Sequence, residues 1–169
     1  MIESYEGTWP EVDETAFVHP SAVLIGDVKI GAHASIWPNV TMRGDVGLLS
    51  VGAFSNIQDN TVVHCTGGLS TTEVGEKVTV GHAVILHGAK IGNSCLIGMG
   101  ALLLDNVEIG EYCLIGAGTL LTQRTKIPAG SMVLGRPGRV VRALSDEERQ
   151  WIDHSWAHYV EMAKNHQRR

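Results

Sequence analysis

The feature that most constrains this chain is a period of six. From Ile91 onward an aliphatic residue recurs at Ile91, Ile97, Leu103, Ile109, Ile115, Leu121, Ile127 and Val133. The same step runs through Val18, Leu24, Ile30, Ile36 and Met42, then Val51, Ile57, Val63, and Val74, Val80, Leu86. Gly often follows the aliphatic residue, as at Gly31, Gly52 and Gly98, and a small or β-branched residue sits four places on, as at Ala22, Ala34, Val40 and Ala101. An amphipathic helix repeats near 3.6 residues and a strand near 2, so neither gives six. One short strand plus one corner does, and three such units close a triangular coil of about eighteen residues. The aliphatic and small side chains then point inward and stack on their equivalents in the next coil. The sequence therefore predicts an all-β repeat fold, a parallel β-helix shaped as a triangular prism.

Composition agrees. Hydrophobic residues make up 44% of the 169 residues, aromatic residues only 5%, and there are 20 glycines. This suits an aliphatic core with many tight corners. Charged residues at 18% argue against disorder. A net charge of −5 gives no basic face for nucleic acid. No apolar run approaches the roughly 20 residues that span a bilayer. The opening Met1-Ile2-Glu3-Ser4 is acidic where a signal peptide is cationic. Three cysteines are too few for a disulfide scaffold, and the expected location is the cytoplasm. The expected organisation is a lead-in over 1–17, the β-helix over 18–138, and a linker with a helix over 139–169. The helix starts at a capping box, Ser145 with Glu148, and runs to about Asn165. Its apolar stripe is Ile152, Trp156, Tyr159, Val160 and Ala163.

The period breaks in three places. Nine residues separate Met42 from Val51, eleven separate Val63 from Val74, and five separate Leu86 from Ile91. Insertions in repeat proteins become loops on one face, often a functional one, so loops are expected within Asp45–Ser50 and Cys65–Glu73. Counting hexads then places Met42, Val63 and Leu86 on one face of successive coils. The next residues, Arg43, His64 and His87, form an outward column. Ile57 and Val80 share another face, so Asp59 and His82 form a second column, with Gln58 beside it. Two imidazoles about one strand spacing apart can reach one Zn²⁺. His82 lies on a different edge, and a neighbouring prism packed about a threefold axis could supply it. His19, His33 and His166 read as ordinary surface histidines, and His154 and His158 as surface or interface residues. Cys95 and Cys113 read as core packing. Cys65 points away from His64.

Arg43-Gly44-Asp45, Asn56-Ile57-Gln58-Asp59, His64, Gly81-His82 and His87 together resemble the γ-class carbonic anhydrases and their bacterial homologues. The resemblance covers nearly the whole chain. It implies a left-handed β-helix, a C-terminal helix and a homotrimer with a metal between subunits. It implies His64 and His87 from one chain and His82 from the next as ligands of Zn²⁺, with Fe²⁺ or Co²⁺ also suited to such a site. Arg43 and Asp59 match an interface ion pair, Gln58 a residue beside the metal, Asp45 an acidic residue of the first loop, and Asn56 a structural Asn. Tyr159 matches a Tyr that reaches toward the site from the last helix. The implied reaction is hydration of CO₂ to bicarbonate by a metal-bound hydroxide. Val46 stands where an active member carries Glu, and Glu73 is the only carboxylate in 65–73. That implies slow turnover limited by proton transfer. The rival readings are a hexapeptide acyltransferase, a metal-dependent thioesterase, and a non-catalytic metal-binding trimer.

Overall fold

The computed structural model describes residues 1–167, so the last two residues of the expected helical segment lie outside the described residues. The chain is a parallel β-helix of about seven turns closed by a single C-terminal helix. Its three faces follow the hexads. On one face Leu24, Met42, Val63, Leu86, Leu103 and Leu121 are stacked by in-register parallel pairing and fully buried. Val51, Val74, Ile91, Ile109 and Ile127 stack on the second face. The third carries Ile36, Ile57, Val80, Ile97, Ile115 and Val133. Each such aliphatic side chain contributes roughly 1.5–3 kcal/mol by leaving water. Corners need a residue in the left-handed region, and Asn39, Asn60, Asn106, Gly100 and Gly118 take it with positive φ.

Outside the core the three faces differ. The second face carries one column of alternating charge, Glu11, Lys29, Ser50, Glu73, Lys90, Glu108 and Lys126, each paired in register with the next. Lys90 lies 2.8 Å from Glu73 and Lys126 3.1 Å from Glu108, so this face is built for water. The third face is covered by the helix Asp146–Gln167. Ile152 packs with Met132 and Leu144, and Ala163 with Phe17 and Trp37. Trp156 and Tyr159 are only half-buried. The first face presents an outward apolar column, Val62, Ile85, Leu102 and Leu120. Val62 is 42% and Ile85 41% exposed.

Two departures from the sequence expectation concern the irregular coils. The segment expected to loop at Asp45–Ser50 stays extended, inside one strand Thr41–Val51. That strand pairs Gly44 with Gly26 and resumes at Leu49 with Val28, so 45–48 bulge from the ladder without breaking the strand. Gly44 is required there, since a Cβ would lie 2.4 Å from the Asp27 carbonyl oxygen. The second departure is at the ends. Ile2–Glu3 and Glu11–Val12 already pair in parallel with Val23–Ile30, and Gly138–Ala143 folds back antiparallel on Ser131–Gly135. At the first end Val12 extends the hexad one step before Val18 and packs partly buried against the core, whereas Ile2–Glu3 and most of Gly138–Ala143 are exposed and held by backbone pairing.

The capping box forms as the sequence predicts. The Glu148 amide donates to Ser145 Oγ at 3.2 Å, and the Ser145 amide donates to Glu148 at 2.9 Å. Arg142 grips Glu148 with two hydrogen bonds of 2.7 Å and, with the Ser145 amide, holds that carboxyl down at about 2. Replacing Ser145 by alanine is expected to cost about 1 kcal/mol of stability by removing one satisfied amide at the helix start. Urea denaturation of the variant beside the parent measures it.

Candidate metal centre

All three irregular spacings fall at one corner of the prism, after Met42, Val63 and Leu86 on consecutive coils. His64 and His87 stand at that corner and are paired in register. The His64 Nδ1 and His87 Nε2 atoms lie 3.3 Å apart. The other nitrogen of each ring faces a carboxylate. His64 Nε2 is 2.9 Å from Asp45, and His87 Nδ1 is 3.3 Å from Asp105. Asp45 also forms an ion pair with Arg43. Burial pushes the Asp45 carboxyl up, but hydrogen bonds from His64 and Arg43 outweigh it and hold the group below its usual range.

The sequence did not single out Asp105. It lies at the same corner on the next coil, one residue past Leu104, the position that register places above His87, so counting alone did not reach it. Asp105 is 6% exposed and accepts hydrogen bonds from Ser70 at 2.6 Å and Thr66 at 3.1 Å, both in the second insertion. Burial raises its pKa, while Ser70, Thr66 and His87 together lower it further, so it stays ionised. Thr72 closes the same loop by donating to the His64 carbonyl at 2.6 Å. Gly88, at φ +76°, leaves the space this carboxylate needs, since a Cβ there would come within 2.3 Å of Asp105 Oδ1 and Ser70 Oγ.

The second column stands apart. His82 Nδ1 is 3.0 Å from Asp59. Gln58 is buried and donates to Asn56 Oδ1 at 3.0 Å, and Asn56 donates to Thr79 at 3.1 Å. Ser155 of the helix donates to Thr79 at 3.2 Å, tying this ladder to the helix. Tyr159 lines a cleft with Gln58 and His82. Burial, then the charge of Asp59, raises its phenol pKa. Within one chain the expected site residues therefore form two groups. Arg43, Asp45, His64 and His87 are one, and Asn56, Gln58, Asp59, His82 and Tyr159 the other. Within one chain Arg43 pairs with Asp45, and Asp59 with His82. Among the described residues no three His, Cys, Asp or Glu side chains converge as a metal site would require. Cys65, Cys95 and Cys113 are free and buried.

The donor set nevertheless fits a metal. A neutral imidazole has one N–H and one bare nitrogen. Asp45 and Asp105 accept only, so they assign the N–H of His64 to Nε2 and that of His87 to Nδ1. On that assignment the two bare nitrogens are the pair 3.3 Å apart, and a cation held by both, a metal ion or a proton, removes the repulsion of their lone pairs. Ligands about 2.0–2.1 Å from a tetrahedral ion are about that far apart. His82, held by Asp59, is the third imidazole oriented by a carboxylate, the usual outer support of a metal-ligating histidine.

The chain is similar to known proteins over most of its length. The family model described as bacterial transferase hexapeptide (six repeats) matches residues 10–44 and 88–123. The probable carbonic anhydrase of Methanocaldococcus jannaschii is 48% identical over 153 residues, covering 90% of this chain and 96% of that one. The mitochondrial gamma carbonic anhydrase 1 of Arabidopsis thaliana is 44% identical over 162 residues, covering 93% of this chain, and the chain spans 59% of that protein's length. A solved structure of a putative acetyltransferase from Bacillus cereus superposes with a TM-score of 0.96 at 38% identity, covering 98% of this chain and 96% of that one. Among the described residues no helix is long and apolar enough to cross a membrane. With its hexads, its histidine columns and a 48% identical relative matched over nearly its whole length, this chain belongs to the γ-class carbonic anhydrase family of hexapeptide-repeat proteins.

Proposed function

We propose that this protein is a metal-dependent carbonic anhydrase that interconverts CO₂ and bicarbonate at a site shared between subunits of a homotrimer. The observation that carries this reading is the pair of facing imidazole nitrogens, each ring fixed by its own carboxylate. His64 and His87 of one chain and His82 of the next would hold the ion. Zn²⁺ is the default, and Fe²⁺ or Co²⁺ suit the same donors. When bound, the ion supplies a nucleophile from water near neutral pH.

The residues of the chain then divide the remaining work. Gln58 has a second amide hydrogen beyond the one given to Asn56, and it orients the substrate oxygen. Asp45 is engaged by both His64 and Arg43, which suits positioning His64 better than accepting a proton. Asp105 positions His87, and Asp59 positions His82. Tyr159 faces the His82 side of the site as a protonated donor. Arg43 is retained as the clamp toward a neighbour's Asp59. The trimer reading gains support from the faces, since one is charged, one is under the helix, and the apolar column beside His64 and His87 is left for a neighbour. Free, buried cysteines suit a cytoplasmic location.

The acyltransferase reading is favoured by the name of the Bacillus cereus structure. Facing bare nitrogens argue against it, because a general base needs one imidazole and not a converging set. Zinc analysis followed by a CO₂ hydration assay tests the proposal, and metal-free protein with no zinc-restorable activity contradicts it.

Two further outcomes follow. Replacing Asp105 by asparagine should weaken zinc binding about 10–100-fold, because the amide no longer fixes the ring of His87 as a charged acceptor does. Competition with a fluorescent chelator measures it. Proton transfer should limit turnover. Glu73 is tied to Lys90 on the charged face, and that hydrogen bond lowers its pKa, so it is not a relay. Turnover should therefore rise several-fold with imidazole buffer, which stopped-flow assays at constant pH and ionic strength will show.

A further inference from the structure

A cleft of about 430 Å³ lies between the C-terminal helix and the third face, beside His82. CO₂ has three heavy atoms, and a water molecule claims only about 30 Å³ in the liquid, so the reaction alone does not explain this volume. It falls in the range of about 300–1,000 Å³ typical of sites for larger organic ligands.

Its walls have a definite chemistry. On the helix side Trp151, His154, His158 and Tyr159 form a row of neighbouring rings, with centroids 5.9, 6.1 and 6.0 Å apart. His154 and His158 are nearly parallel, at 16°. Across from them Leu96 and Met99 supply an aliphatic wall. Trp151 is 61% and Met99 58% exposed, a large uncovered apolar pair at the lip. The polar groups of the lining are His82, His154, His158, Gln58, Tyr159, and the hydroxyls of Thr79 and Ser155. His154, His158, Tyr159, Thr79 and the second amide hydrogen of Gln58 can donate hydrogen bonds, whereas His82 Nδ1 faces Asp59 and Ser155 already donates to Thr79. Among the described residues no carboxylate lines the cleft, and Asp59, beside it, is already bound to His82.

We infer that this cleft binds an organic anion with a flat apolar body, of the aryl carboxylate class. The ring slots between the row of rings and the aliphatic wall, and the carboxylate takes the hydrogen bonds that the lining offers. The inference extends the proposed function, because the cleft adjoins His82, but binding itself does not require the metal.

Calorimetric titration of the full-length protein with benzoate tests it, using chelator-treated and zinc-loaded samples. Benzoate should bind both samples, and its uncharged counterpart benzamide and the ring-less acetate should each bind at least about tenfold more weakly. Trp151→Ala and the double substitution His154→Ala with His158→Ala should each weaken benzoate about tenfold or more without changing zinc content. Both sit on the exposed side of the helix, and Trp151→Phe provides a variant that keeps a ring in place and should retain most of the affinity. Absence of benzoate binding, equal binding of benzamide, or indifference to these substitutions overturns the inference. Binding seen only with zinc and lost in His64→Ala also overturns it, since the anion would then sit on the ion. Zinc binding without benzoate binding leaves the proposed function standing, and benzoate binding by a protein that takes no zinc does the reverse.

Discussion

Alanine at His64, His82 or His87 should strip the metal while leaving the β-helix intact. Each imidazole stands outside the prism, and the inward neighbours that stack the coils, Val63, Val80 and Leu86, are untouched. Losing a supporting carboxylate costs about 10–100-fold in metal affinity, so losing a ligand outright should cost at least the upper end of that range. His82, on a different edge of the prism, should matter as much as the facing pair. Metal content after dialysis against nanomolar free zinc reads the loss, and unchanged circular dichroism reads the fold. Full occupancy in any one variant removes that residue from the ligand set.

The second large effect is on stability. Leu86→Ala should cost about 2–5 kcal/mol, the range for a leucine truncated in a packed core. Leu86 is completely buried and sits between Val63 and Leu103 in the stacked column. Inextensible coils above and below cannot collapse into the space, because their spacing is set by the backbone ladder. Lys90→Ala, four residues on, should shift stability by no more than about 0.5 kcal/mol, since an exposed ion pair contributes little. Urea denaturation of the two variants side by side gives the contrast. A Leu86→Ala protein as stable as the parent would mean that the inward column is not what holds this corner together.

These two predictions draw on different parts of what the sequence made readable. The hexad named the inward column directly, because a repeat of six leaves no other periodic fold. The columns of His64 with His87 and of Asp59 with His82 also came from counting alone, since register in a β-helix is arithmetic. What counting could not give is how a side chain leans. Asp105 belongs to the same corner as His87, but its approach depends on Gly88 lacking a Cβ and on Ser70 and Thr66 holding the carboxylate. Those contacts are made by an inserted loop, whose path is set by tertiary hydrogen bonds and not by any period. The extended course of Asp45–Ser50 was missed for a related reason. An insertion count gives the number of extra residues but not whether they loop or bulge, and here the strand continues past them. The strand Ile2–Glu3 was missed because its side chains are exposed and its pairing is backbone only, whereas Val12, one hexad before Val18, was a signal left unread. The aromatic row along the last helix was visible as His154 and His158 at i, i+4, yet its meaning needed the opposing wall of Leu96 and Met99 from a coil more than fifty residues away in sequence.

The central claim is that two chains complete each metal centre. It is tested most directly by mixing two inactive proteins, one carrying His82→Ala and the other carrying His64→Ala with His87→Ala, and reassembling them from the unfolded state. Neither can bind metal alone. In a mixed trimer, an interface that brings His64 and His87 of the first protein to His82 of the second is intact. Equal, random mixing makes about a quarter of the interfaces of this kind. The account predicts recovery of about a quarter of the parental zinc content and CO₂ hydration activity. No recovery from mixed trimers verified by mass spectrometry would contradict it.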